Sequence, residues 1–116
     1  MMTLDKIIKE LKLNVLAGKV NPNAIVSGAY VSDLLSDVMG NAGKGNIWIT
    51  MQTHGNIVAV ASLKELAAII VVNDGKPEEN TIQKAEAEGI VILSTKQRSF
   101  NTCGKLYKIL EQDAVV

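Results

Sequence analysis

Apolar residues follow two different repeats along the chain, and the alternation between them predicts the elements. Leu4, Ile7, Ile8 and Leu11 recur at helical spacing with lysines on the other face. That predicts an amphipathic helix over 3–13, with Thr3 as its N-cap. Two strand-like runs follow, Asn14–Val20 and Ala24–Tyr30, divided by the turn signal Asn21-Pro22-Asn23. Ser32 is placed to cap a helix over 33–41 with Leu34, Leu35 and Val38 turned inward. Gly40, Gly43 and Gly45 then end that helix in a loop.

From Asn46 the pattern becomes regular. Ile47–Gln52 reads as a strand and Thr53–Leu66 as a helix with Ile57, Val60, Ala61 and Leu63 on its core face. Its run Ile57-Val58-Ala59-Val60-Ala61 is apolar almost all round, which places this helix deep in the core or at a dimer interface. Ala68–Val72 is wholly aliphatic, the mark of a strand buried on both faces. Pro77 suits the first turn of a helix running to Glu88, and Gly89 sits at its C′ position. Ile90–Leu93 is a second buried strand. Ser99 or Thr102 can cap a last helix reaching about Glu111, with Asp113–Val116 expected to fray. The order βαβαβα from residue 46 predicts an α/β fold: a mainly parallel sheet with flanking helices, in two or three layers. The first 45 residues are too few for a core of their own, so residues 1–116 are expected to form one domain.

Composition narrows the function classes. Hydrophobic residues make up 47% of the 116 and aromatics only 3%, so the core is aliphatic. Twelve basic residues balance twelve acidic ones. The basic excess that nucleic-acid binding draws on is missing, and weak self-repulsion is compatible with a homodimer. Cys103 is the lone cysteine. With no secretory leader pattern after Met1, it points to a reducing, cytoplasmic setting. No apolar run approaches the ~20 residues of a membrane span.

Candidate chemistry gathers after the predicted strands. The segment Gly40-Asn41-Ala42-Gly43-Lys44-Gly45 has the wrong spacing for a phosphate loop and precedes a strand instead of following one. His54 follows the strand Ile47–Gln52, and it has no second His or Cys with which to share a metal. Asn73-Asp74-Gly75 reads first as a turn tolerant of left-handed backbone and second as a ligand loop. Ser94-Thr95-Lys96 and Ser99 can cap a helix or hold an anion. Ligands of open parallel sheets bind outside the carboxyl ends of the strands, so Thr53, His54, Asn73, Asp74, Thr95 and Lys96 form the candidate ligand site. Cys103, beside Phe100 and Leu106, reads as a small buried hydrophobe. Asp33, Asp37 and the glutamates of 78–88 read as solvated surface. No catalytic constellation is present, and no metal or cofactor is expected.

The stretch from Ile47 to about Ile109 resembles the DRTGG domain. The most specific matches are the helix start Lys76-Pro77-Glu78-Glu79 and the strand Glu88-Gly89-Ile90-Val91-Ile92-Leu93-Ser94-Thr95, followed by Ser99-Phe100-Asn101-Thr102. Val26-Ser27-Gly28-Ala29 resembles the family more loosely. The resemblance implies an α/β domain similar to the N-terminal domain of HPr kinase/phosphorylase. Its role would be accessory, in dimerisation or in sensing a nucleotide-like ligand, and a kinase activity is not implied. Stand-alone chains of this kind also resemble small proteins of anaerobic bacteria encoded near iron-only hydrogenase genes. The family's Asp-Arg slot is Thr53-His54 here, and its Thr-Gly-Gly slot is Val72-Asn73-Asp74. Two functions follow as expectations. One is a non-catalytic regulatory module for a small phosphorylated or other anionic ligand. The other is a pure dimerisation or interaction module associated with a larger redox enzyme.

Overall fold

The computed structural model describes residues 1–114. Five strands form one sheet in the order β1-β5-β4-β3-β2. They are β1 (Asn14–Ala17), β2 (Gly28–Val31), β3 (Asn46–Thr50), β4 (Ala68–Val71) and β5 (Ile92–Ser94). Strands β2 to β5 run parallel, and β1 is antiparallel to β5 at one edge. The two N-terminal strands therefore do not pair with each other. They flank opposite edges, and a bridge between Thr3 and Ile25 tacks down the connection between them.

The helices are α1 (Leu4–Leu11), α2 (Leu35–Asn41), α3 (Asn56–Leu63), α4 (Glu79–Glu88) and α5 (Ser99–Ala114). Period-two alternation divides the sheet into two cores. Ile47, Ile49, Ala68, Ile70 and Leu93 pack with Leu4 and Ile7 of α1 and with Leu106 and Ile109 of α5. Trp48, Ile69, Val71 and Ile92 pack with Val38 of α2, with Ile57, Val58 and Ala61 of α3, and with Ala85 of α4. The molecule is thus a three-layer α/β sandwich. The three helices that connect parallel strands share one face, as crossovers of one hand require.

Several boundaries differ from the sequence reading, each for a local reason. Thr3 caps α1 by accepting a hydrogen bond from the Lys6 amide. β1 stops at Ala17 because Gly18, at φ +81°, turns against β5: a Cβ there would lie 2.5 Å from the Ile90 carbonyl oxygen. β2 begins only at Gly28, since Ala24 and Val26 spend their backbone groups on Leu4 and Met2 instead. Ser32 accepts from the Leu34 amide in a local turn, but it is not the N-cap: the helix starts two residues later than expected, with Leu34 at the cap position and 63% exposed. Leu63, also expected inside, is 70% exposed at the end of α3. Val58 is fully buried, so α3 is a core helix enclosed between its neighbours. Thr102 lies inside α5, and its hydroxyl donates to the Arg98 carbonyl. The expected fraying of 113–116 falls partly outside the described residues; residues 113 and 114 continue α5.

Candidate functional site

The carboxyl ends of the four parallel strands open onto one end of the sheet, and three loops build it. The first follows β3. Thr50 donates through its hydroxyl to Asp33 Oδ1 at 2.6 Å, and the Met51 amide donates to the same oxygen at 2.8 Å. The Trp48 indole N–H donates to the Ser32 carbonyl at 2.8 Å. Asp33 therefore clamps the end of β2 to the end of β3, which fixes where the following residues, Thr53 and His54, leave the sheet. Asp33 is exposed, as the surface reading expects, but its carboxylate is engaged by two donors at the end of β3. Asp37 is half-buried rather than solvated, and it accepts a 2.8 Å hydrogen bond from the Tyr30 hydroxyl. That bond holds the Asp37 carboxyl below its ordinary range and raises the Tyr30 phenol.

The other two loops follow β4 and β5. The chain leaves β4 toward α4 on one face of the sheet and leaves β5 toward α5 on the other. Adjacent strands whose connections diverge in this way create the crevice where open α/β sheets hold ligands. Here the crevice is laced shut by backbone. Asn73 and Asp74, both left-handed at φ +60° and +56°, donate their amides to the carbonyls of Gln97 and Thr95 at 2.8 and 3.0 Å. Those amides are consequently not free to hold an anion. The reading of Asn73-Asp74-Gly75 as a turn holds in full.

All six predicted residues stand at this end of the sheet, but they do not share one environment. Thr95 is buried, and its hydroxyl accepts from the Gln97 amide. Asp74 pairs with Lys76 at 3.1 Å. Thr53 lies under the α3–α4 side, where its carbonyl accepts from the Glu78 amide. His54 is exposed, and its side chain makes no hydrogen bond among the described residues. Lys96 is exposed on the far side of the β5–α5 loop.

On that far side lies a polar cleft of about 440 Å³. Its walls are the end of α1, the start of β1, the loop Thr95–Gln97 and α5. It takes up Thr95 and Lys96 of the predicted set and adds Lys12 and Lys105. Neither lysine follows the carboxyl end of a parallel strand, so the sequence reading passed over both. The one available signal was at Lys12. It closes α1 in the left-handed region, φ +54°, where glycine or asparagine is the usual residue.

A larger, apolar groove of about 540 Å³ runs between the outer edge of β2 and α5, lined by Val31, Ile49, Cys103, Leu106, Tyr107 and Leu110. Cys103 is half-buried at its wall rather than sealed in the core, and its sulfur lies 3.9 Å from the Ser99 hydroxyl. Among the described residues no group of His, Cys, Asp and Glu has the arrangement of a metal site, and no helix is long and apolar enough to cross a membrane.

No protein-family model matches the chain, and no curated protein matches it in sequence. The fold does have a counterpart among solved structures. The chain is similar, at 21% identity over 90% of its length and with a TM-score of 0.67, to the CBS and DRTGG domains of the regulatory region of Clostridium perfringens pyrophosphatase, crystallised with the activator diadenosine tetraphosphate. It spans 45% of that chain. The two share a mainly parallel α/β architecture.

Proposed function

We propose that this chain is a non-catalytic regulatory module that binds a small anionic metabolite, nucleotide-like or otherwise phosphorylated, at the carboxyl end of its sheet. The observation that carries the reading is the polar cleft beside the β5–α5 loop, where ammonium groups outnumber carboxylates on a chain of zero net charge. The fold adds support, since its solved counterpart is a regulatory region bound to a nucleotide activator. Of the six candidate residues, Thr95 and Lys96 line this cleft; Thr53, His54, Asn73 and Asp74 are proposed to border the site at the same end of the sheet, with His54 and Lys96 as its free side-chain donors. The setting is cytoplasmic, in keeping with a lone thiol. The wider kinship to the N-terminal domain of HPr kinase/phosphorylase is part of the same proposal.

A thermal-shift screen of nucleotides, other phosphorylated metabolites and their unphosphorylated counterparts tests it. A ligand held only by the native state stabilises it by about 2.7 kcal/mol at a hundredfold excess over Kd. The expected result is a shift confined to anionic compounds and reduced in His54→Ala or Lys96→Ala. A screen that shifts for no compound would sink the proposal.

The apolar groove favours a second role. Among the described residues no strand pairs with the outer edge of β2, and Tyr107 on the facing helix is 68% exposed. An unpaired edge with apolar flanks is a template for another strand. We infer that a second copy occupies it, because an edge strand is self-complementary about a two-fold axis and a neutral chain does not repel its copy. Val31→Lys is expected to convert a dimer to a monomer in analytical ultracentrifugation; a wild-type protein that stays monomeric at high concentration refutes this. Partnership with a larger redox enzyme would use the same surface.

A further inference from the structure

We propose that the cleft beside the β5–α5 loop is a polyphosphate site, in which Lys12, Lys96 and Lys105 together hold adjacent phosphoryl groups of a nucleoside di- or triphosphate. The inference rests on the ligand-binding reading above and names the class of ligand and the groups that hold it.

Three separate elements supply the lysines: the end of α1, the β5–α5 loop and the body of α5. None of the three is paired with a carboxylate among the described residues. Lys9, Lys44 and Lys76 pair with Asp5, Glu65 and Asp74; other lysines outside the cleft also lack a partner among the described residues, so what marks this site is the gathering of three of them in one cleft. The only carboxylate lining the cleft is Glu10, so two positive charges are left uncompensated. A singly charged ligand would leave one of them bare, whereas a chain of phosphoryl groups offers several oxygens to dispersed ammonium donors. Asn14 and Gln97 also line the cleft, and among the described residues their side-chain amides make no hydrogen bond.

The backbone gives an independent sign at Lys12. This residue ends α1 in the left-handed region, donating its amide to the Ile8 and Lys9 carbonyls. Glycine serves that cap with no steric penalty, and a side chain there is disfavoured. Strained residues of this kind cluster where the side chain has a task, and the task available to Lys12 is the cleft it lines. The cleft carries no aromatic ring, so a base has no stacking partner in it. Recognition therefore falls on the phosphate chain.

Titration calorimetry of the full chain with sodium tripolyphosphate, orthophosphate, ATP and adenosine tests this. Tripolyphosphate and ATP should bind with similar affinity, orthophosphate much more weakly and adenosine not at all. Binding should weaken as salt rises from 50 to 200 mM (roughly the range over which exposed charges become screened). Lys12→Gly, Lys96→Gln and Lys105→Gln should each weaken tripolyphosphate by about tenfold or more, while Lys64→Gln, at the end of α3 and away from the cleft, should leave it unchanged. Lys12→Gly is the most telling variant. It relieves the backbone, so its melting temperature should hold or rise while its affinity falls, which separates loss of the site from loss of the fold. ATP binding that is equal in wild type and all three cleft variants would overturn this inference and leave the regulatory reading standing. Absence of heat with both tripolyphosphate and ATP would overturn it as well; the broader reading then falls only if the metabolite screen is also blank.

Discussion

Asp33 offers the sharpest test of how the candidate site is held, because its carboxylate is the link between two strand ends. The perturbation is Asp33→Ala. It removes the acceptor for the Thr50 hydroxyl and for the Met51 amide, bonds of 2.6 and 2.8 Å to a single oxygen. The two donors are not equivalent. Thr50 is 2% exposed, so water cannot replace its lost partner, and the remaining acceptor in reach is Gln52 Oε1 at 3.4 Å. Met51 is half in solvent, and its amide can be rehydrated. A hydrogen bond to a charged group contributes about 1.5–3 kcal/mol, and an abandoned buried donor costs about the same. Asp33 itself is exposed, which puts the net loss near the lower part of that range, about 2 kcal/mol. For a domain of this size that corresponds to a melting temperature lower by ~8 °C.

Urea denaturation with a linear extrapolation provides the measurement. Asp33→Asn keeps an acceptor oxygen but loses its charge, so it should cost about half as much. Thr50→Val removes the donor instead. The double variant Asp33→Ala/Thr50→Val should then fall short of the sum of the singles by about 1 kcal/mol, since each single change already breaks the shared bond. If Asp33→Ala costs under ~0.5 kcal/mol, or the cycle closes with no coupling, the clamp does not fix the end of β3 and the placement of Thr53 and His54 has another cause.

Three further outcomes follow from the fold. Gly18→Ala should lower stability by about 2–4 kcal/mol in the same denaturation assay, because the new methyl would meet the Ile90 carbonyl and the backbone is left-handed at φ +81°; a loss within ~0.5 kcal/mol would mean that β1 docks differently on β5. Thr81→Val should raise stability by about 0.5–1 kcal/mol, since the Thr81 hydroxyl is buried with no hydrogen-bond partner among the described residues, and a loss instead would reveal a partner. Tyr30→Phe should flatten the acid limb of the stability–pH curve: the Tyr30 hydroxyl lowers the Asp37 carboxyl, so the stability that it contributes is present above the ordinary carboxylate range and is lost as pH falls through the folded-state value. An unchanged slope on acid titration, followed by thermal melts, would show that the bond does not persist in solution.

Most of the architecture was legible because the burial pattern is simple. A run such as Ala68-Ile69-Ile70-Val71 has no polar alternative to a two-faced strand, and the helices between such runs had to cover the faces that the runs expose. The failures have physical causes that act over distance. Leu34 and Leu63 have the right helical phase but sit at helix ends where the sheet no longer reaches them. The limits of β1 and β2 were set by Gly18 against β5 and by pairing of 24–26 with the first residues of the chain. The roles of Asp33 and Asp37 were hidden for the same reason. Their partners lie at the end of β3 and on β2, and a carboxylate in or just before a short helix looks the same in sequence whether it meets water or a hydroxyl from a distant strand.

The candidate site divides along the same line, and the division bears on function. Strand-end logic brought Thr53, His54, Asn73, Asp74, Thr95 and Lys96 to one end of the sheet, since any residue after a parallel strand must stand there. It could not tell which side of the β5–α5 loop each would face. The Asn73 and Asp74 amides turn inward and lock that loop through Thr95 and Gln97. The loop is thereby held on its inner side by β4 and left open on its outer side toward Lys12 and Lys105. A ligand drawn onto the outer side would pull on Lys96 and Lys105, both joined to the helix that also walls the groove beside β2. Helix α5 is the one described element that lines both the cleft and the groove. Under the proposed function it is therefore the element through which an anion in the cleft would act on a partner in the groove, and coupling of that kind requires each ligand's affinity to depend on how the helix sits.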